Sequence, residues 1–386
     1  MSQTFRFDTA NEDSLTIAET AEALSVSSAS VRNWVKTGYL ATNNNRRITR
    51  ESFEGFRDHV AGVAKLTTRT NKSLTDDHDH PALQARFTEE LELKGDVTGD
   101  YLSDEYEAGL SNSYRNKEGI YYTPSDIAGK FFKHLPEDRA QLTFCDPCCG
   151  TGNFLIEALG NGFSVANVYG FDTDGTAVEI AKRRIYEKTG MDSPNVRTED
   201  FLRLVAERPK ESGSYDVVLT NPPWGKKFDK KDKEFFAFKL GGRPTSDASA
   251  LFFLAATRVV NTRGYLGMLL PDAFFNVTAF KDVRDKVLSY RLLSVTDFGR
   301  PFRALLTKAK GLLVQMDKPA ENDLVACDTP SGQHKRPQQS FIANPKSILN
   351  FALSPSGADA ISHLLAVPHR TLAGNARWGL GVLGVK

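Results

Sequence analysis

From residue 142 to residue 316, short apolar runs alternate with helical stretches, and no other feature of this 386-residue chain restricts its fold as much. Strand-like runs occupy 142–146, 165–171, a short stretch near Val196, 215–220, 264–270, 292–298 and 311–316. Helical patterns intervene at 175–188, 249–260 and 278–289. This alternation predicts an α/β fold, a doubly wound, mixed, seven-stranded sheet with helices on both faces. The last two runs have no helix between them, which predicts an antiparallel hairpin at the sheet edge.

Ligands of open α/β sheets gather at the carboxyl ends of the strands. Asp146 ends the first run and leads into Pro147-Cys148-Cys149-Gly150-Thr151-Gly152-Asn153-Phe154, a glycine turn that opens a helix. Gly150 and Gly152 let the backbone come close to a ligand. The spacing is neither Gly-x-Gly-x-x-Gly nor that of a phosphate loop, which argues against dinucleotides and nucleoside triphosphates. Asp146 suits the cationic end of an amino-acid-like ligand. Asp172 ends the second run, with Asp174 just beyond, where an acid pairs with ribose hydroxyls. Asp200 closes the third, next to Phe201, placed for an adenine amine and its ring. The fourth run ends in Asn221-Pro222-Pro223-Trp224. An exocyclic base amine is a poor nucleophile, because its lone pair is delocalised into the ring. Acceptors on the Asn221 side chain and the Pro222 carbonyl would draw that nitrogen toward a tetrahedral form. The prolines hold the carbonyls in place beforehand, and Trp224 would stack on an extruded base.

Together with Gly119-Ile120-Tyr121-Tyr122-Thr123-Pro124 ahead of the sheet, these motifs carry a resemblance over residues 98–316. The span resembles the gamma-class, amino-group DNA methyltransferases of restriction-modification systems, which make N6-methyladenine. The resemblance implies a methyltransferase sheet and S-adenosyl-L-methionine as cofactor. It implies that Tyr121, Thr123, Pro124, Asp146, Cys148, Gly150, Gly152, Phe154, Asp172, Asp200 and Phe201 hold the cofactor. It further implies that Asn221, Pro222, Pro223 and Trp224 carry the chemistry, with Trp224 and Phe302 packing on the adenine; Phe298 is a rival for the second ring. Pro147-Cys148 is similar to the nucleophile pair of cytosine-carbon methyltransferases, but it lies in the cofactor turn, so Cys148 and Cys149 read as packing residues. A protein-glutamine or RNA methyltransferase would use the same Asn-Pro-Pro-aromatic tetrapeptide. A catalytically idle DNA-binding regulator is the alternative from another class.

Residues 1–60 predict a small helical, winged helix-turn-helix module. Thr16 caps a helix over 17–24, a second helix runs from Ser28 to the stop at Gly38, and Thr49 opens a third with Phe53 and Phe56 inward. This part resembles the winged helices of excisionase- and MerR-like regulators. Arg32, Lys36, Arg46, Arg47 and Arg50 stand in a stretch free of acids, which makes them candidates for DNA phosphate. The polar stretch 61–83 reads as a linker, and 84–318 as the methyltransferase domain with a helical lead-in. Residues 319–386, where regularity fades, read as a connector toward a target-recognition domain that the sequence does not carry. DNA is therefore the expected partner, beside a separate recognition subunit or a cognate restriction endonuclease. No apolar run can span a bilayer, so no membrane is expected, and the polar N-terminus is not a signal peptide. The four cysteines, three of them crowded at 145, 148 and 149, suit neither a disulfide framework nor a zinc site. Reduced thiols, no metal and a cytoplasmic location are the expectation.

Overall fold

The computed structural model describes residues 14–24, 28–36, 40–43, 47–56, 79–92, 97–210, 213–243, 247–302 and 307–366. The chain divides into two compact units, 1–83 and 84–386. The first contains β1 (Ser14–Leu15), α1 (Ile17–Ala23), α2 (Ser28–Lys36), β2 (Ile48–Thr49) and α3 (Arg50–Phe56). Thr16 caps α1 reciprocally: its hydroxyl accepts from Glu19 N, and the Glu19 carboxylate accepts from Thr16 N at 2.6 Å. β1 pairs with β2 antiparallel, and Thr42 bridges Ile48, on either side of the stretch expected to be the wing. Val31, Trp34, Leu40, Ile48, Phe53 and Phe56 are buried together as a small core of their own.

Helix α4 (Asp79–Glu92) runs across the division at 83/84, and α5 (Gly99–Gly109), α6 (Asn112–Glu118) and α7 (Ser125–Lys130) follow it in the second unit. The start of α4 lies within the stretch expected to be linker. Pro81 is compatible with it, because the first turn of a helix needs no proline N–H. Residues 57–78 lie outside the described ones. Then follow β3 (Phe144–Asp146), α8 (Asn153–Gly160), β4 (Val168–Asp172), α9 (Gly175–Thr189), β5 (Val196–Thr198), α10 (Phe201–Glu207), β6 (Tyr215–Thr220), α11 (Lys230–Leu240) and α12 (Ala248–Ala256). β7 (Val260–Pro271), α13 (Lys281–Leu288), β8 (Arg291–Asp297), β9 (Ala309–Gln315), β10 (Leu324–Thr329) and β11 (Gly332–Pro337) complete the sheet.

The sheet has nine strands in the order β11-β10-β8-β9-β7-β6-β3-β4-β5, not the seven expected. β8 and β9 form the predicted antiparallel pair, but they do not lie at the edge, because β10 adds parallel to β8 and β11 pairs with β10. The start of the supposed connector is thus sheet. Its pattern is faint: β10 buries Val325 and Cys327, and β11 (Gly-Gln-His-Lys-Arg-Pro) buries only Arg336, so this edge strand lacks an apolar period. β6 is the opposite case. Val217 and Leu219 pack into the core under α7 to α9, and Val218 into the core under α10 to α12. A strand covered on both faces reads as a continuous apolar run. β3, β4, β5, β6 and β7 are mutually parallel, so the carboxyl ends that carry the motifs share one edge.

Candidate active site

At the end of β3, Asp146 is 1% exposed, and its Oδ1 accepts from Cys148 N at 3.0 Å. Burial pushes this carboxyl up to about 7, outweighing that hydrogen bond. The turn beyond it needs both glycines. Gly150 has φ 50° and Gly152 has φ 95°, and the Tyr122 ring lies 2.8 Å from where a Cβ on Gly150 would be. Asp172, at the end of β4, stitches this turn to the sheet: its carboxylate accepts from Gly150 N at 2.8 Å and from Asp174 N at 3.0 Å, and burial raises its pKa. Asp200, after β5, caps α10 by accepting from Arg203 N at 3.1 Å. Because β3, β4 and β5 are neighbours, these three acids form a row along one edge. Thr123 is buried, its carbonyl accepting from Asn153 Nδ2 at 2.8 Å, and Pro124 precedes α7 as its cap residue. Cys148 is half-buried and Cys149 buried; burial pushes both thiols well up.

The Asn-Pro-Pro-Trp end of this edge is built on two neighbouring segments. The Asn221 Nδ2 donates to the Tyr121 carbonyl, whereas its Oδ1 is buried with no hydrogen-bond partner among the described residues. Trp224 N donates to the Gly119 carbonyl at 3.0 Å, and Lys226 pairs with Glu118 at 2.9 Å. Residues 118–121 and 221–226 are therefore joined rung by rung. The Trp224 indole N–H donates to the Leu269 carbonyl at 3.2 Å, which fixes the ring plane. Around it, Trp224 and Phe302 meet edge to face at 5.3 Å, and Tyr121 lies 6.0 Å from Trp224 and 5.8 Å from Phe302. Pro222 is buried and Pro223 half-buried between these groups and β6.

A family model described as N-6 DNA methylase matches residues 97–296, and a helix-turn-helix domain model matches residues 14–58. The chain is 45% identical over 383 residues to the Type II methyltransferase M.VspI of Vibrio sp. (strain 343), covering 99% of this chain and 93% of that protein. The chain belongs to the N-6 DNA methylase family. It is a DNA adenine-N6 methyltransferase with an N-terminal helix-turn-helix domain. It is also 22% identical over 200 residues to the modification methylase CviBIII of Paramecium bursaria Chlorella virus NC1A, covering 50% of this chain and 48% of that protein. The solved modification subunit described as that of a type I restriction enzyme from Vibrio vulnificus YJ016 shares the fold, with a TM-score of 0.52 at 16% identity, covering 70% of this chain and 68% of that one.

In this N-6 DNA methylase several of the expected residues make core or structural contacts. Phe154, 2% exposed, packs on Phe131 at 5.7 Å in the core beneath the turn. Phe201, also 2% exposed, packs on Phe171 at 5.6 Å and stacks on Phe252. Each opens a helix whose apolar face turns to the sheet, a direction that a motif position alone does not reveal. Tyr121 sits with Trp224 and Phe302, not along the row of acids. Asp174 is committed to structure: it caps α9 and accepts the Tyr106 hydroxyl at 2.6 Å. Phe298 packs on Phe131, with the Lys130 ammonium over its ring, which leaves Phe302 as the second ring beside Trp224.

Among the basic residues of the helix-turn-helix, Arg32 is exposed on α2, and Arg50 is exposed and pairs with Glu54. Arg47 instead ties the wing down, donating to the Ser14 hydroxyl and carbonyl at 3.2 and 3.1 Å and pairing with Glu19. Arg46 and the Lys36 side chain lie outside the described residues. Among the described residues no group of three or more His, Cys, Asp or Glu side chains could hold a metal ion, and no helix is long and apolar enough to cross a membrane. Sequence reasoning missed Ser103 and Glu107. They are four residues apart on α5, on the buried side of a helix that backs the glycine turn.

Proposed function

We propose that this enzyme takes a methyl group from S-adenosylmethionine and places it on N6 of an adenine extruded from DNA, as the modification half of a restriction-modification pair. The Asn221 amide carries this reading. One end is anchored on the Tyr121 carbonyl, and the other is an acceptor held out of water without a partner. Leaving such an acceptor unsatisfied costs about 1–3 kcal/mol, which an incoming amine N–H would recover. Asn221 Oδ1 and the Pro222 carbonyl would then polarise one nitrogen, concentrating its lone pair where the new bond forms. No strong base is required, because the nitrogen becomes acidic as it is alkylated and sheds its proton to water. Trp224, Phe302 and Tyr121 offer the ring surfaces for the base.

The residues along the row of acids suit the cofactor. Asp146, a buried carboxyl, would take the cationic amino end; Asp172 and Asp200 would take ribose hydroxyls and the adenine amine. Thr123, Pro124, Cys148, Gly150 and Gly152 would line the path between. When bound, the cofactor supplies a methyl group on a positively charged sulfur, an electrophile needing no further activation. Arg32 and its neighbours in the helix-turn-helix would meet DNA phosphate, and a recognition subunit or cognate endonuclease would be a further partner. The test is mass spectrometry of N6-methyladenine in host DNA, with wild type and Asn221→Ala. Wild type should add the modified base. Asn221→Ala should lose it, by about 10²- to 10³-fold in rate, while cofactor affinity stays within about twofold. Equal methylation by both would overturn the role given to Asn221.

A further inference from the structure

The glycine turn is gripped from behind by a helix that carries none of the recognised motifs. Thr151 is the residue between the two left-handed glycines, and it is fully buried. Its hydroxyl donates to Glu107 Oε1 at 2.9 Å and accepts from the Ser103 hydroxyl at 2.8 Å, both on α5. Its carbonyl accepts from Arg184 Nη1 at 2.7 Å, and the same nitrogen donates to Asn153 Oδ1 at 2.7 Å. Arg184, on α9, is oriented in turn by Asp100 at 2.8 Å, at the start of α5. Thr151 is thus held at both ends. We propose that Glu107 is a positioning residue for cofactor binding, acting through Thr151 to keep residues 150–153 in the shape that receives the methionine end of the cofactor.

The turn itself cannot supply this restraint. Glycines reach left-handed φ easily but leave it as easily, so a turn with two of them is pre-shaped only where other groups over-determine it. Thr151 offers a side chain between them, and it points to α5. Burial pushes the Glu107 carboxyl up to about 7, so near neutrality it is often uncharged, and an uncharged carboxyl still accepts through its carbonyl oxygen. The role therefore needs an acceptor in that place, not a charge. Glutamine would keep it and alanine would not.

This inference rests on the turn being the cofactor site, so cofactor titration of the wild-type chain comes first; no binding there would end the parent reading. Given wild-type binding, Glu107→Ala should weaken cofactor affinity about tenfold, the loss of one well-placed buried hydrogen bond. kcat at saturating cofactor and the KM for DNA should stay within about twofold, since neither involves the empty turn. Thr151→Val should reproduce the loss, the double variant should add little to it, and Glu107→Gln should restore affinity to within about threefold. Thermal unfolding of each variant sets a temperature at which all are folded. Unchanged affinity in Glu107→Ala would overturn the proposal. So would a loss in Glu107→Ala and Glu107→Gln alike with Thr151→Val normal, because Glu107 would then be acting on the ligand as a charge.

Discussion

Asn221 Oδ1 and the Asp146 carboxyl are buried polar groups at the sheet's carboxyl edge, and the proposed function gives each of them a ligand. For Asp146 the consequence is a pH dependence. Its carboxyl titrates near 7 in the unliganded fold, raised from an ordinary value of 3.8, and only the charged form attracts a cation. Cofactor affinity should therefore fall by up to about tenfold per pH unit below 7, with a proton released on binding. Calorimetry in buffers of different ionisation enthalpy would show that proton; its absence, with flat affinity from pH 6 to 8, would remove Asp146 from the cofactor's cationic end. The sign for stability is opposite. A raised pKa means that the fold binds the proton more tightly than the unfolded chain, so Asp146 and Glu107 make the unliganded protein lose stability as pH climbs toward 7. At this scale the sequence was legible where a residue's task is set by its chain neighbours. The Thr16 cap is such a case, and so is the placing of Asp146, Asp172 and Asp200 at strand ends. It was not legible where the task depends on direction: Phe154 and Phe201 turn into the core, and Glu107 meets Thr151 across 44 positions of sequence.

Elements were legible in proportion to their burial. β6 matches the expected 215–220 because two helical layers leave it no polar face, whereas β11 escaped notice because an edge strand can be written in polar residues. The pairing of residues 118–121 with 221–226 was invisible for another reason: neither segment is a regular strand, and only Gly119 hints at it. At φ 71°, a Cβ on Gly119 would lie 2.6 Å from the Trp224 carbonyl oxygen. Gly119→Ala should push the Asn-Pro-Pro-Trp segment out of place and destabilise the fold by about 1–3 kcal/mol. The expected signature is a loss of kcat larger than any loss of cofactor affinity, measured beside thermal unfolding. A variant with wild-type turnover and stability would show that the two segments tolerate separation.

For the whole molecule, the division into two units with separate cores lets the proposed tasks be tested one at a time. Arg32→Glu, on the exposed face of α2, should weaken DNA binding and lower the slope of log affinity against log salt by about 1, leaving cofactor affinity unchanged. Fluorescence anisotropy over a salt series measures that slope, and an unchanged slope would take the helix-turn-helix away from phosphate. The thiols at the end of β3 have a different use. Cys145 and Cys149 are buried, and their thiols are disfavoured as thiolates, so an alkylating reagent meets them only when this part of the sheet edge opens. Their rate of labelling is then a clock for that opening. Whatever fills the turn should slow the clock in proportion to how tightly it binds, so a reagent that never touches the ligand can report its residence, including for analogues too weak to be weighed by heat.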